Sequence, residues 1–384
     1  MTSDSGYPAR QDPTGEPLPL TVLTGFLGAG KTTLLNKLLR DPAMKDSLVL
    51  VNEVGEIGID HLLYEILDDN VLLMQSGCLC CSMRGDLVSS LENLIYTLKA
   101  GTLTPVRRVI VETTGLADPA SVLHIVMTQP FLLQHYRLDG VVTAVDAVNG
   151  MATLDTHAEA VKQAAVADRI VLTKSDLLAD TKAIRVRLAR LNPAAVILDA
   201  AAGEATADRL TGCGLFDPER KIPDVARWLA DEAVATAEAG ASHDHAHDHD
   251  HHHDHAHGQG HKHDSSIRVF TVATETPVPA ATLDLFLELL RSAHGPKLLR
   301  VKGIVQLAEE PEQPVVLHMV QHVLHPPARL AAWPSADRRS RLVFVTQDLE
   351  AETVRRLLNA FLGAPGVDMP DKAALTENPL ALSR

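Results

Sequence analysis

The chain has 384 residues, a formal net charge of −14 and a 46% apolar fraction, which excludes a wholly disordered protein. No apolar run reaches the ~18 residues of a membrane span, and the polar N-terminus does not resemble a secretory signal. The acidic charge argues against a nucleic-acid partner. We therefore expect a cytoplasmic protein of two or three domains, without a membrane or nucleic-acid partner.

Composition divides the chain into four parts. Eleven of the 19 histidines lie between His243 and His263, where they alternate with Asp. A stretch with so little apolar surface to bury is typical of a disordered segment. The predicted parts are a disordered N-terminus, a larger domain, a His/Asp-rich linker and a smaller domain, over residues 1–17, 18–238, 239–264 and 265–384.

Between residues 18 and 199, short β-branched runs alternate with helical patterns. The predicted strands are Leu18–Thr24, Ser47–Asn52, Asn70–Met74, Arg108–Glu112, Gly140–Asp146, Arg169–Thr173 and Ala195–Asp199. Apolar residues at three- and four-residue spacing predict helices such as Thr32–Leu39 and Asp86–Leu98, the second capped by Asp86. This alternation predicts an α/β fold, with a mostly parallel sheet flanked by helices. The carboxyl ends of its strands would share one edge, where ligands bind.

The first predicted strand leads into Gly25-Phe-Leu-Gly-Ala-Gly-Lys-Thr32, which fits the phosphate-loop pattern G-x-x-x-x-G-K-[ST]. Its glycines let the backbone wind around phosphates with the N–H groups pointing inward. Lys31 can reach the β and γ oxygens, and the Thr32 hydroxyl can hold Mg²⁺. The alternative is a glycine-rich turn without a ligand. We predict a nucleoside triphosphate site formed by Gly25, Gly28, Ala29, Gly30, Lys31, Thr32 and Thr33.

An acidic loop follows the second predicted strand, with the sequence Asn52-Glu-Val-Gly-Glu56. Isolated acidic residues are more often solvated surface groups. After a strand on the ligand edge, however, Glu53 and Glu56 become candidate partners for Mg²⁺, water or a second metal. We therefore predict that this loop is one of two switches beside the nucleotide.

Three of the four cysteines, Cys78, Cys80 and Cys81, fall within four residues after the third predicted strand. Cysteines this crowded cannot staple a large fold, and a reduced chain uses such clusters for metal or redox chemistry. Three thiolates can fill three positions of a tetrahedral zinc site, with Glu53, Glu56 or the His/Asp-rich linker as a fourth ligand. A buried thiol cluster or a redox pair is the alternative. Thiolates favour zinc but do not by themselves separate it from cobalt or nickel.

The predicted strand that ends at Glu112 continues as Thr-Thr-Gly115-Leu-Ala-Asp-Pro119. A buried strand that ends in a carboxylate, followed by a glycine, resembles the D-x-x-G element that senses the γ-phosphate and its Mg²⁺. Here the acid is Glu112, and the Gly115 N–H can donate to the γ-phosphate and be released on hydrolysis. This loop is the predicted second switch.

Nucleotide selectivity is predicted from Thr173-Lys-Ser-Asp176, directly after a predicted strand. The Asp176 carboxylate can accept hydrogen bonds from the ring N–H and exocyclic amine of guanine, whereas adenine offers neither donor on that edge. The Lys174 stem can lie along the base. The GTPase consensus has Asn in place of Thr173, so we expect one side-chain contact to be weakened. An ordinary surface turn is the alternative to guanine recognition.

The His/Asp-rich linker combines imidazoles, which bind zinc, nickel, cobalt and copper, with Asp residues that attract cations. We interpret it as a metal-gathering arm, and the alternatives are an expression tag or a segment that only solubilises and spaces the domains. The C-terminal part is predicted to be a small α+β domain. Its elements are Ile267–Thr274, Pro279–Ala293, Lys297–Leu307, Val315–Leu324, Arg341–Val345 and Leu349–Leu362, of which the second and last are helices. His318, His322 and His325 lie in a strand region and are interpreted as ordinary residues.

In their order along the chain, these motifs resemble those of the CobW-like GTPases, which belong to the P-loop group that includes the urease and hydrogenase nickel-insertion GTPases. Leu298–Val305 and Asp337–Phe344 are similar to the second domain of that family. The resemblance implies a GTPase with Lys31, Thr32 and Glu112 at its catalytic centre. It also implies GTP, Mg²⁺ and zinc (cobalt in some relatives) as ligands, and GTP-dependent delivery of the metal to an apo-metalloprotein client.

Two other classes of function remain open from the residues. One is a passive metal buffer, in which the His/Asp-rich linker is the functional part. The other is a P-loop kinase that transfers phosphate to a small molecule. The oligomeric state also stays open, and a homodimer is one option.

Overall fold

The structure is a computed structural model that describes residues 17–52, 83–213 and 267–363, apart from residues 102, 104, 105, 322, 325 and 326. The chain divides into two compact units, residues 1–215 and 216–384, and each is described by itself. Residues 1–16 and the whole of the predicted linker lie outside the described residues, so the division into four parts stays a prediction.

The described part of the first unit contains a parallel sheet of six strands. These are β1 (Leu18–Gly25), β2 (Ser47–Asn52), β3 (Arg108–Thr113), β4 (Tyr136–Asp146), β5 (Arg169–Thr173) and β6 (Val196–Asp199). Their order is β2-β3-β1-β4-β5-β6, which places β1 inside the sheet and all carboxyl ends at one edge. The predicted α/β fold is therefore confirmed, while the predicted strand Asn70–Met74 lies outside the described residues.

Helices connect these strands. They are α1 (Lys31–Leu39), α2 (Met83–Lys99), α3 (Pro119–Thr128), α4 (Pro130–His135), α5 (Gly150–Thr156), α6 (Ala158–Val166), α7 (Lys182–Leu191) and α8 (Ala207–Leu210). The prediction that Asp86 caps α2 is wrong, because the helix already begins at Met83 and Asp86 lies inside its first turn. Asp118 does act as a cap, since its Oδ1 accepts the Ala120 N–H at 3.0 Å and Pro119 occupies the first helical position.

The sheet is buried on both faces, as its continuous β-branched runs predict. Leu20 and Val22 of β1 and Val111 of β3 lie on one face, Leu23 of β1 and Ile110 of β3 lie on the other, and all five are at most 3% exposed. Strand β4 begins four residues before its predicted start, because Asp139-Gly140 is not a turn. Instead, the β1–β4 register shifts beside Gly140 and the strand continues. In the described parts of the chain, no helix is both long and apolar enough to cross a membrane.

Over residues 267–363, the second unit contains an antiparallel sheet with two helices, which confirms the predicted α+β domain. Its elements are β7 (Ile267–Thr274), α9 (Ala280–His294), β8 (Leu298–Val305), β9 (Val315–Val320), β10 (Val323–Leu324), β11 (Ala328–Arg329), β12 (Ser340–Gln347) and α10 (Ala351–Leu362). The strand order is β10-β9-β8-β12-β7, and β11 pairs with β9. Apolar residues of both helices and of the sheet, such as Phe286 and Phe344, form its core.

The predicted strand Val315–Leu324 is two strands, because Gln321 takes a left-handed conformation (φ 50°) and reverses the chain between them. His318 lies on β9 and is 1% exposed. The other two histidines of this region, His322 and His325, lie outside the described residues.

Candidate nucleotide-binding site

The turn between β1 and α1 has backbone conformations that favour glycine. Gly28 (φ 72°) and Gly30 (φ 84°) lie in the left-handed region, and Gly30 directly precedes the first helical residue, Lys31. The Ala29 N–H donates to the Phe26 carbonyl across 3.1 Å, which closes the turn. The N–H groups of the first helical turn point toward this loop and make it a cradle for an anion.

Lys31 and Thr32, which the phosphate-loop pattern singles out, occupy the first two positions of α1. Lys31 Nζ donates to the carbonyl oxygens of Gly25 at 2.9 Å and Phe26 at 3.3 Å, so its ammonium group lies over the loop. Thr32 Oγ1 lies 3.5 Å from Glu112 Oε1, and Glu112 is only 4% exposed. A hydroxyl and a carboxylate oxygen are hard ligands, so the pair fits Mg²⁺. The next residue, Thr33, is exposed on the same helix.

Residues 114–118 connect β3 to α3 and lie directly against the phosphate loop. A Cβ on Gly115 would come within 2.6 Å of both the backbone nitrogen and the Cδ2 of Leu27, so only glycine allows this approach. On the other side of the loop, Gln163 Nε2 donates to the carbonyls of Gly115 and Ala117, both at 3.1 Å. The loop predicted to sense the γ-phosphate is therefore held between the phosphate loop and α6.

Thr173, at the end of β5, is hydrogen-bonded to the phosphate loop. Its hydroxyl lies 2.7 Å from the Ala29 carbonyl and 3.2 Å from the Val145 carbonyl. A hydroxyl has one proton, so the two carbonyls share it. Thr173 thus makes a direct side-chain contact with the phosphate loop, and the weakening expected relative to the consensus Asn stays a prediction.

Lys174 is held in the same region by two partners. Its Nζ donates to the Gly28 carbonyl and to Asp146 Oδ2, both at 2.8 Å. Lys174 also has a left-handed backbone (φ 56°), which starts the short 3₁₀ turn Ser175–Leu177. Asp176 lies in that turn and is exposed. The predicted guanine-binding segment and the phosphate loop are therefore joined through side chains.

Asp146 ends β4 and sits under Lys174. Burial raises its carboxyl pKa, but hydrogen bonds from Lys174, the Asn149 side chain and the backbone N–H groups of Asn149 and Val148 outweigh burial and lower the pKa below its ordinary value. The ionised form is therefore the one that the folded chain stabilises. Asp146 was not predicted as a site residue. Like Glu112, it is a carboxylate near the end of a buried strand at the ligand edge, and that position could have indicated it.

We expect Asp146→Asn to weaken nucleotide binding about fivefold, because Lys174 would lose its charged partner near a partly exposed site. Since the folded-state pKa of Asp146 is lowered, its stabilisation is present above the ordinary carboxyl pKa of 3.8 and is lost as the pH falls below it. Urea unfolding at about pH 7 and about pH 3 should show a smaller acid-induced loss in the variant than in the wild type.

Asp155→Asn is the matched control for this prediction. Asp155 pairs with Arg187 at 3.6 Å on the surface, with 58% of the carboxylate side chain exposed. It should change unfolding free energy by less than about 0.5 kcal/mol at either pH. Equal acid responses of Asp146→Asn and Asp155→Asn would contradict the role given to Asp146.

Asp199, at the end of β6, fixes the turn that carries Asp176. Its carboxylate accepts from Ser175 Oγ and, at 2.8 Å, from Arg185 Nη2. Burial raises the pKa of Asp199, but these bonds and those from the Ala201 and Ala202 N–H groups lower it overall. Sequence reasoning missed this residue, and only its place at the end of a buried strand could have indicated it.

The predicted metal ligands Cys78, Cys80, Cys81, Glu53 and Glu56 lie outside the described residues. Within the part of the chain that the structure describes, no three His, Cys, Asp or Glu side chains are grouped to hold a metal. The last residue of β2 before this segment, Asn52, is paired with Thr113, next to Glu112. The chain therefore enters the acidic loop at the edge where the nucleotide motifs meet. Cys213 lies elsewhere, buried, with its Sγ 3.4 Å from the Arg209 carbonyl.

Comparison with known proteins places this arrangement in a family. The CobW/HypB/UreG nucleotide-binding domain matches residues 19–199, and the C-terminal domain of the cobalamin synthesis protein cobW matches residues 267–362. The zinc chaperone YjiA of Escherichia coli K12 is 30% identical over 342 residues, 88% of this chain and 97% of that protein. The zinc-regulated GTPase metalloprotein activator 1 of Schizosaccharomyces pombe is 31% identical over 201 residues, 50% of this chain and 48% of that protein.

Among solved structures, the crystal structure of Zn(II)-bound YjiA GTPase from Escherichia coli has the same fold. It aligns with a TM-score of 0.62 at 24% sequence identity and covers 91% of this chain and 100% of that one. The resemblance inferred from the motifs is confirmed by these matches. The chain belongs to the CobW/HypB/UreG family, with its nucleotide-binding domain followed by a CobW C-terminal domain.

Proposed function

We propose that this protein is a GTP-hydrolysing metallochaperone that binds zinc, or cobalt as a second choice, and delivers it to an apo-metalloprotein client. One observation carries the proposal: Thr173 and Lys174 are hydrogen-bonded to the carbonyls of Ala29 and Gly28, so the turn that we propose to bind guanine is joined to the phosphate loop. Relatives named as zinc chaperones and as a zinc-regulated GTPase support the identity of the metal and of the nucleotide.

The phosphate chemistry follows from the groups at the start of α1. Lys31 exchanges the Gly25 and Phe26 carbonyls for phosphate oxygens, because a phosphate offers it a full negative charge. The N-terminus of α1 and the Gly115 N–H meet the charge that develops on the γ-phosphoryl group. Thr32 and Glu112 are the residues that would hold Mg²⁺, which neutralises phosphate charge when bound.

Guanine selectivity is assigned to the turn after β5. Asp176 is exposed there, and its carboxylate would accept from the two N–H donors of guanine. Asp146 and the Gly28 carbonyl hold the Lys174 ammonium group, which leaves the stem of that side chain to lie along the base. We therefore expect GTP to be preferred over ATP.

Zinc is assigned to Cys78, Cys80 and Cys81, with Glu53 or Glu56 as a candidate fourth ligand. The last residue of β2, Asn52, is paired with Thr113, one residue from Glu112, so the described chain ends there next to the proposed Mg²⁺ residues. Sites that share one edge of a sheet can bias the same loops. The binding of GTP and zinc should therefore be coupled, by the same factor in each direction.

Zinc titration of the protein with residues 243–263 deleted, with and without a non-hydrolysable GTP analogue, tests the proposal. We expect one high-affinity zinc site whose affinity changes about 5–150-fold when the analogue is bound, and phosphate release from GTP but not from ATP. Replacing Cys78, Cys80 and Cys81 together by Ser should abolish that site and leave GDP binding intact. Cys213→Ser is the matched control and should keep wild-type zinc affinity.

Two results would contradict this function. Zinc that binds the cysteines without changing either GTP affinity or GTP turnover would exclude a GTP-dependent chaperone. Loss of all zinc binding on deletion of residues 243–263 would instead favour the passive metal buffer.

A further inference from the structure

Gln163 is a fully buried amide on α6, with 0% of its surface exposed. Its Nε2 donates to two carbonyls of one loop, those of Gly115 and Ala117. Because both partners can only accept, the amide nitrogen must face the loop and Oε1 must face away from it. The orientation of the side chain is therefore set by the loop that contains the proposed γ-phosphate donor.

The other end of this amide has an unusual environment. Gln163 Oε1 is buried, and no donor in the described part of the chain reaches it. A buried acceptor without a donor costs about 1–3 kcal/mol, so stability alone does not explain an amide at this position. Gln163 also lines a cavity of about 240 Å³ that residues 26–29 of the phosphate loop border as well.

The loop is confined from two directions. Leu27 of the phosphate loop approaches Gly115 so closely that a Cβ there would lie 2.6 Å from the Leu27 nitrogen. Gln163 binds the same loop from the side of α6, through the carbonyl of Gly115 itself. A hydrogen bond to that carbonyl restrains the peptide plane between Gly115 and Leu116, which joins the plane of the Gly115 N–H at the Gly115 Cα. Gln163 thus restrains the backbone directly next to this N–H.

We propose that Gln163 is a positioning residue for GTP hydrolysis, which holds the Gly115 and Ala117 carbonyls so that the Gly115 N–H faces the γ-phosphate. The inference rests on the proposed GTPase function and adds a residue to it. GDP has no γ-phosphate, so its affinity does not depend on this N–H. Loss of the Gln163 amide therefore changes the ratio of GTP to GDP affinity, which a general loss of stability does not change.

The test uses the full chain and the variant Gln163→Met, which keeps the length of the side chain but removes the donor. Fluorescence titration should show that the affinity for a non-hydrolysable GTP analogue falls about tenfold relative to that for GDP. In steady-state GTP hydrolysis, kcat should fall as well.

Asn192→Leu is a closely matched control. Asn192 is also 0% exposed, and its Nδ2 donates to the carbonyls of Ala164, Ala165 and Ala167 at the end of the same helix. The variant loses a buried amide near α6. In the described structure, however, Asn192 does not touch the Gly115 loop. Both variants should melt at lower temperature than the wild type, and only Gln163→Met should shift the GTP-to-GDP affinity ratio.

An unchanged ratio in Gln163→Met with intact GDP binding would overturn the inference, and so would an equal shift in Asn192→Leu. If Gln163→Met does not bind GDP, Gln163→Asn decides, because it keeps the amide but is one methylene too short to reach the loop. A lowered ratio in Gln163→Asn then supports the inference, and a wild-type ratio overturns it. If the wild-type chain bound neither GTP nor GDP, that result would contradict the proposed function itself.

Discussion

Lys31→Ala should lower kcat for GTP hydrolysis about 10²–10³-fold, the largest effect that we expect from one side chain of the site. The ammonium group lies over the phosphate loop, 2.9 Å from the Gly25 carbonyl. Negative charge shifts among the β- and γ-phosphate oxygens in the transition state, and Lys31 is placed to stabilise it. Loss of the ammonium group should therefore lower turnover more than it weakens ground-state binding. Phosphate release under saturating GTP measures kcat, and titration with a GTP analogue measures affinity.

Lys31→Ala should change the free energy of unfolding much less than it changes kcat. In the structure described here Lys31 bonds two carbonyls of its own loop, and loss of such bonds at a partly exposed site costs about 1–2 kcal/mol. Lys37→Ala is the matched control, because Lys37 lies on the same helix and donates to the Ala200 carbonyl at 3.1 Å. It should keep kcat within about twofold of the wild type. A similar kcat in both variants would show that Lys31 does not act on the phosphates.

The strands were predictable because a parallel sheet buried on both faces requires continuous β-branched runs. The start of β4 was not, because Asp139-Gly140 has the local signature of a turn. Asp139 is instead 4% exposed, and its Oδ2 accepts from Thr21 Oγ1 at 3.2 Å and the Gly212 N–H at 2.8 Å. Partners 118 and 73 residues away hold it in the strand. A local pattern does not contain that information.

The same contrast between local patterns and long-range contacts applies to the residues of the site. The phosphate loop works through its own backbone, so the glycine spacing from Gly25 to Gly30 is visible in the sequence. Gln163 works through carbonyls 48 and 46 residues away, and its neighbours on α6 look like those of any amphipathic helix. Which carbonyls it reaches depends on how α6 packs against the sheet. Residues whose partners are distant in the sequence can be identified only from the structure.

Three carboxylates at strand ends have different partners, and the partners determine their roles. Glu112 on β3 lies 3.5 Å from the Thr32 hydroxyl, and the two are the proposed Mg²⁺ residues. Asp146 on β4 binds the ammonium group of Lys174, and Asp199 on β6 binds Ser175 and Arg185. The last two hold the turn that is proposed to bind guanine and do not need to contact the nucleotide. A carboxylate at this edge is therefore a candidate site residue. Its neighbours show whether it can bind a ligand directly or holds a neighbouring turn in place.

Gly25→Ala should destabilise the first unit by about 3–4 kcal/mol, the largest stability loss that we expect from a single methyl group. Gly25 has φ 142°, and a Cβ there would lie 2.4 Å from the carbonyl oxygen of Ala144. The two residues are paired in the β1–β4 register, so the obstacle is the backbone of a central strand. Neither strand can move away without breaking its other hydrogen bonds.

Gly28→Ala provides the comparison within the same loop. Gly28 also has a left-handed backbone (φ 72°), but nothing lies within 4 Å of a Cβ built there. Its cost is the conformational strain of about 1–2 kcal/mol, partly offset by the lower entropy of the unfolded chain. Thermal unfolding followed by circular dichroism should therefore show a drop in Tm about three times larger for Gly25→Ala. Equal drops would mean that backbone conformation alone, and not the contact with β4, requires glycine at the entrance to the phosphate loop.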